Sequence, residues 1–408
     1  MNYSDNATCG IFTQKQNQPE RYQMSDPNTP DHVTSSAQGT VPKRPLDGIV
    51  VVETSSFLTG PFASMMLADL GADVIKVEPP GGDGFRKFGH NRDGYGASWT
   101  NANRGKRSVV IDLKTAEGTR RLRNLLERAD ILIENWRPRV AASLGLGRDV
   151  LETRYPRLIR LSINGFGDTG ALANAPAFDS LIQGRTGIVA SEGRNGKPAV
   201  TPFNMVDKVT GAFGAQAVLA ALYEREKTGK GGYVQLPMLD VMGYFNFPDM
   251  FQHRTFEGDT SAWKPPASQV LETADGFVVI SPANGAQMSK TLNAIERPEW
   301  KDEFKRMRDP VAMAEEFFRR VGAVVKENNT TFWLQRFSEM DVPAAPVFSL
   351  DEFLHDPQVE NNQVYSFVDS PVGPIRAARY PASFDDRKLT ARSGPPAIGE
   401  HDEAIGGH

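Results

Sequence analysis

Two aspartates stand among apolar neighbours, where a solvated surface acid is out of place. Asp179 lies in Pro176-Ala177-Phe178-Asp179-Ser180-Leu181-Ile182, and Asp207 closes Phe203-Asn204-Met205-Val206-Asp207. Histidine is scarce: His32, His90, His253, His355, His401 and His408, with none between residues 91 and 252. A Ser-His-Asp triad or a His-ligated metal therefore has no local imidazole in that half of the chain. Carboxylates are left as the natural nucleophile or general base. Capping a helix is the commoner role of such an Asp, and Asp207 precedes a long Ala-rich helix read from Val209 to Arg225. Yet a carboxylate at a helix N-terminus is also held ionised and oriented, as a nucleophile must be.

Composition narrows the chemistry further. The net charge of −4 offers no basic field for nucleic acid or an anionic membrane, so neither is expected as a partner. Cys9 is the single cysteine, which excludes a disulfide framework, a thiolate metal site and an iron–sulfur cluster. No metal site is expected, and a reducing cytoplasm fits. No run of about 18 apolar residues appears, so no membrane-spanning helix is expected. Residues 1–45 read as a disordered N-terminal extension, since the first forty are rich in Asn, Gln, Ser, Thr and Pro and lack the apolar stretch of a signal peptide.

The elements that must position the two acids begin at Leu46. Gly48–Glu53 reads as a buried strand, and Gly60-Pro61 opens a helix with Phe62, Met65, Met66 and Leu70 at helical spacing and Gly71 as its stop. Ala72–Glu78 is a second strand, giving a βαβ start. Further strands are expected at 108–113, 131–134, 158–164 and 233–237, with helices at 115–128, 209–225 and 239–250. Short apolar strands alternating with helices imply a parallel sheet covered on both faces. Residues 252–269 are polar and Pro-containing, a plausible linker. A smaller α+β unit follows, with a strand at 276–281, helices at 286–295, 311–326 and 331–340, and an irregular tail after Pro343.

A βαβ start invites a dinucleotide, and Glu78 ends the second strand as a ribose-binding acid would. However, the turn Thr54-Ser55-Ser56-Phe57-Leu58-Thr59-Gly60-Pro61 holds one glycine and no GxGxxG, so pyrophosphate has no close backbone approach. The phosphate loop GxxxxGK[ST] is absent as well.

Several segments, in order, resemble family III CoA transferases, the carnitine and formyl-CoA transferase group. They are Gly60-Pro61 with Leu67-Ala68-Asp69-Leu70-Gly71-Ala72-Asp73-Val74-Ile75-Lys76-Val77-Glu78, then Asn103-Arg104-Gly105-Lys106-Arg107-Ser108. Ala129-Asp130-Ile131-Leu132-Ile133-Glu134-Asn135-Trp136-Arg137-Pro138 and Gly165-Phe166-Gly167-Asp168-Thr169-Gly170 follow. Thr228-Gly229-Lys230-Gly231 and the closing Gly399-Glu400-His401 complete the series. The resemblance spans residues 46–405 and implies a nucleophilic Asp just before the long Ala-rich helix, here Asp207. It implies a CoA thioester as substrate rather than a permanently bound cofactor, and a small carboxylic acid as the other partner. The carboxylate would form an aspartyl acyl anhydride and then an aspartyl-CoA thioester, which conserves the thioester's energy.

By the same resemblance the CoA-binding positions are Leu58 and Thr59 in the first loop, Lys114, then Asn135, Trp136 and Arg137, with Ala177 and Phe178 at the thioester end. Lys114 and Arg137 suit the phosphate charges of CoA; Arg86 and Arg107 are further candidates. The implied fold is a large Rossmann-like parallel-sheet domain at 46–251, a small α+β domain at 252–342, and a return to the large domain at 343–408. An interlocked homodimer is expected.

Departures limit the substrate. Formyl-CoA transferases carry Gln where Leu58 stands, and a glycine-rich loop where Pro266–Ala274 has no such run, which argues against oxalate and formate. Ser143 replaces a frequent basic residue, and Lys208 has no evident role. The α-methylacyl-CoA racemases of the same fold carry His where this chain has Phe178. Racemisation needs two opposed acid/bases, and a phenyl ring moves no proton. A non-catalytic CoA-binding protein is the remaining alternative, and it has no need of Asp207.

Overall fold

The computed structural model describes residues 43–191, 197–258 and 267–406. Most of the expected N-terminal extension (1–42, with Cys9 and His32), residues 259–266 of the expected linker, and His408 lie outside the described residues.

The β-branched run Val50–Glu53 forms β1, and α1 (Thr59–Asp69) leads into β2 (Asp73–Glu78). Gly71, at φ +115, makes the turn between them, in the left-handed region that favours glycine. The chain continues through β3 (Arg107–Val110), α2 (Ala116–Leu126), β4 (Ile131–Glu134) and β5 (Ile159–Asn164). Helices α3 (Asp179–Arg185) and α4 (Met205–Thr228) precede β6 (Gly232–Pro237) and α5 (Met238–Met250). The six strands pair in the order β3-β2-β1-β4-β5-β6, every pair parallel.

Alternation along β1, β2 and β4 feeds two cores. Val51, Ile131 and Ile133 face α1, α4 and α5, where they meet Leu67, Val206, Ala215, Val218 and Met242. Val52, Leu132, Val77 and Val109 face the other way, onto Leu122, Leu125 and Leu126 of α2. A sheet buried on both faces needs apolar residues at consecutive positions, which is why these strands lack polar alternation.

A third core, in the second half of the chain, gathers Leu271, Val278, Ile280, Phe317, Val321, Trp333 and Phe337. It sits beneath a three-stranded antiparallel sheet of β7 (Val270–Glu272), β8 (Phe277–Ile280) and β9 (Ala344–Pro346), with β8 in the middle. Strand β9 lies within the tail expected to be irregular; Ala345 and Pro346 pair with Val279 and Val278 and complete the edge. Among the described residues no helix is long and apolar enough to cross a membrane.

Candidate active site

In an open α/β sheet a crevice forms beyond the carboxyl ends of the strands where strand order reverses. That point here lies between β1 and β4. The turn after β1 and the residues after β4 form its two lips, and Asn135 ties them together. Its Oδ1 accepts from the Ser56 amide at 3.2 Å, and its Nδ2 donates to the Ser56 carbonyl at 3.0 Å.

Thr59 opens α1 beside this crevice. Helix α4 lies against α1 because residue 211 is glycine: a Cβ there would meet the Thr59 carbonyl oxygen at 2.8 Å and the Ala63 amide nitrogen at 3.3 Å. Asp207 is one turn earlier on the same face of α4. Its Oδ1 accepts from the Thr59 hydroxyl at 2.5 Å.

Helix α4 starts four residues before the Val209 expected from sequence, so Asp207 sits inside the first turn rather than ahead of the helix. Phe203 (φ 78) and Asn204 (φ 48) make a left-handed entry, and the Asn204 side chain caps nothing. The missing cap comes from elsewhere in the chain. Asp179, 8% exposed, accepts the Asp207 amide N–H through Oδ2 at 3.1 Å. Its Oδ1 takes the Gln183 side-chain N–H at 2.5 Å, and Gln183 also bonds both the amide and the carbonyl of Thr201. Neither aspartate therefore caps its own helix. Burial pushes the Asp207 carboxyl up to about 6; the Thr59 hydrogen bond opposes that rise and the Asp179 charge adds to it. The group is thus ionised at neutral pH but more basic than an ordinary Asp, a suitable state for a nucleophile.

Asp207 opens into a cavity of about 750 Å³, within the ordinary range for a ligand site. Leu58, Thr59, Asn135, Arg137, Ala177 and Phe178 all line it, so most of the residues expected from sequence converge. Two do not. Lys114 is exposed beyond the end of β3, its amide bonded to Asp112, and Trp136 packs against the core on the opposite sheet face. Arg86 and Arg107 are held in ion pairs with Glu78 and Asp73. Lys208 is exposed and outside the cavity wall.

Two groups of residues, Phe178 apart, were not anticipated as parts of a site. Beneath the first loop, Glu53, Lys76 and Lys106 are fully buried. Lys106 Nζ reaches Glu53 at 2.8 Å and the Pro61 carbonyl at 2.9 Å; Lys76 Nζ reaches Glu53 and the Ser55 carbonyl, both at 3.1 Å. The network clamps the turn that presents Thr59. A charge at the end of an apolar strand, Glu53 after Val50-Val51-Val52, and one inside another, Lys76 between Ile75 and Val77, were the available signal. The second group is a wall of phenylalanines, Phe57, Phe85, Phe88, Phe178 and Phe203, lining the same cavity.

The model of the family described as CoA-transferase family III matches residues 46–402. The succinate–glutarate CoA-transferase of Agrobacterium fabrum is 32% identical over 386 residues, covering 89% of this chain and 95% of that protein. The crystal structure of Rv3272 from Mycobacterium tuberculosis, orthorhombic form, superposes with a TM-score of 0.79 at 29% identity, covering 89% and 99% of the two chains. A CAIB/BAIF family protein from Brucella suis gives a TM-score of 0.76 at 30% identity, over 89% and 98%.

Proposed function

Because the chain belongs to CoA-transferase family III, we propose that Asp207 is the nucleophile through which this enzyme moves CoA from an acyl-CoA donor to a carboxylic acid. The Asp207 carboxylate attacks the donor thioester carbonyl and expels CoA thiolate, leaving an aspartyl acyl anhydride. Thiolate then attacks the aspartyl carbonyl, releasing the donor acid and leaving an aspartyl-CoA thioester. The acceptor carboxylate displaces thiolate from that thioester, and thiolate finally takes the acceptor's acyl group and frees Asp207. No proton is gained or lost over the cycle. Each anhydride needs a site that keeps water out. The first hydrogen bond of α4 runs from the Lys208 amide to the Asn204 carbonyl. Of the amides before it, that of Asp207 is taken by Asp179, while those of Met205 and Val206 have no acceptor within the helix and are suited to stabilising a developing oxyanion.

The observation that carries this reading is a half-buried carboxylate, bonded by the Thr59 hydroxyl on a backbone whose amide Asp179 accepts, facing a cavity large enough for a thioester. Leu58, Thr59, Asn135, Arg137, Ala177 and Phe178 line that cavity and support a CoA-binding role. Lys114 and Trp136 keep theirs only by the family resemblance. Phe178 in the wall supports transfer over racemisation, since it has no proton to exchange. The strand order supports a Rossmann-like large domain at 46–251, with the small domain at 252–342 and the return at 343–408 as further parts of the proposal. Exposed Tyr223, Tyr244, Phe245 and Phe247 on α4 and α5 support a homodimer, and a single cysteine in the chain supports a cytoplasmic location. Relatives are named for succinate with glutarate, mesaconate or malate and for acetate with oxalate, and one as a probable fatty acyl-CoA transferase, so dicarboxylic acids predominate among the named substrates without fixing one.

The test is exchange of label between an acyl-CoA and its isotopically labelled free acid. Asp207→Ala is expected to abolish exchange while circular dichroism and oligomeric size stay as in the parent. A folded variant that keeps substantial exchange overturns the assignment.

A further inference from the structure

The phenylalanine wall lines the cavity into which Asp207 opens. Phe57 lies two residues before Thr59, whose hydroxyl bonds Asp207 Oδ1, and Phe178 immediately precedes Asp179, which takes the Asp207 amide. The two rings meet edge to face, with centroids 5.8 Å apart at 79°. Phe57 also lies 6.2 Å from Phe85 and 6.4 Å from Phe88, which stack on each other at 5.0 Å. These rings come from three separate loops, and a fourth brings Phe203. Phe57 and Phe203 hold φ of 64° and 78°, a region that bulky side chains rarely occupy and that clusters at functional sites. Phe178 is 55% exposed and Phe203 78%, so apolar surface is presented to the cavity rather than consumed by packing.

Charge points the same way. Among the described residues lining the cavity, Arg137 is the single basic side chain, while Asp179 and Asp207 are both acidic. A second carboxylate on the acyl group would meet two like charges, and its one cationic partner in the wall would be Arg137, already assigned to the phosphates of CoA. Losing its water for so little compensation is costly. Aromatic rings instead meet other rings in edge-to-face or offset contacts, which add to the gain from burial.

From this geometry we propose that the acyl group exchanged at Asp207 is an uncharged, aryl-substituted monocarboxylic acid seated against Phe57 and Phe178, with dicarboxylic acids disfavoured. The inference rests on the reading of Asp207 as the nucleophile, and its test separates the two.

Two CoA thioethers that cannot be transferred, S-(3-phenylpropyl)-CoA and S-(3-carboxypropyl)-CoA, are titrated calorimetrically into the full chain. The phenyl compound is expected to bind about tenfold or more tightly, the scale on which a fitted apolar pocket discriminates. Phe57→Ala and Phe178→Ala should each bring the ratio towards one. Phe88→Ala, at a ring 53% exposed, serves if either variant fails to fold. In parallel, 3-phenylpropionyl-CoA and succinyl-CoA are each exchanged with their own isotopically labelled free acids. Tighter binding of the carboxypropyl compound, equal binding of the two, or a tenfold preference for succinyl-CoA overturns the aryl assignment and leaves the nucleophile intact. The expected binding preference with no exchange from either donor removes the nucleophile and leaves the aromatic pocket standing.

Discussion

Two carboxylates sit on either side of the turn that follows β1, and they have opposite surroundings. Glu53 lies below the turn, fully buried, with Lys106 and Lys76 at 2.8 and 3.1 Å and the Ser64 hydroxyl at 2.7 Å. Burial alone would raise its carboxyl, but the two ammonium groups outweigh that and hold it at about 2. Asp207 lies above the turn. Its carboxylate is bonded to the Thr59 hydroxyl, with Asp179 as the nearby charge, and burial lifts it to about 6. Burial is common to both, so the partners decide which acid is framework and which is available for chemistry. Framework and chemistry are also joined, because the Glu53 network grips the Ser55 and Pro61 carbonyls on either side of Thr59.

The comparison breaks most visibly at the framework. Lys106→Met leaves a buried negative charge short of a partner and should cost about 3–5 kcal/mol in urea unfolding. Glu53→Gln in the same chain should recover part of the loss. A cost under about 1 kcal/mol would mean that the two acids do not differ as described.

Asp207→Asn should act in the opposite sense. A carboxyl raised in the folded state favours folding below the unfolded value near 4 and loses that advantage as pH rises through about 6. The variant lacks this loss, so it should gain about 2 kcal/mol over the parent at pH 8 and nothing at pH 4. Thermal melts at both pH values check this. An equal difference at the two would place the raised carboxyl elsewhere.

Smaller effects concern the two partners of Asp207. Thr59→Val removes a hydrogen bond to a charged group and should lower kcat/KM about tenfold. It should also move the acid limb of the pH profile upward, since that bond favours the ionised form. Asp179→Asn keeps an acceptor for the Asp207 amide but removes the like charge, so the acid limb should move downward with little loss of stability. Two shifts in the same direction would contradict the assigned roles.

Much of this arrangement was legible in the chain. Strands β1, β2 and β4 announce themselves as apolar runs rich in β-branched residues, and Gly71 and Gly229 stop their helices at positive φ. The start of α4 was not legible, because its cap is Asp179, 28 residues upstream, and no local pattern at Phe203-Asn204 reports it. Strand β9 has the sequence Ala-Ala-Pro, poor in strand propensity, and forms because β8 supplies its partner. At the site, Asp207 and Thr59 stood out through the resemblance. So did Phe178; the other rings of the phenylalanine wall did not, since they come from separate loops and only the fold brings them together.

The central claim, that Asp207 itself becomes acylated and carries CoA, is tested by trapping. The enzyme is incubated with an acyl-CoA in the absence of acceptor, then treated with hydroxylamine or with borohydride, and its peptides are mapped by mass spectrometry. A thioester or anhydride on a side-chain carboxyl yields a hydroxamate with the first reagent and an alcohol with the second. The modification is expected on Asp207 alone and absent from Asp207→Ala. Finding it on Asp179 would move the nucleophile, and finding none while turnover proceeds would contradict covalent transfer.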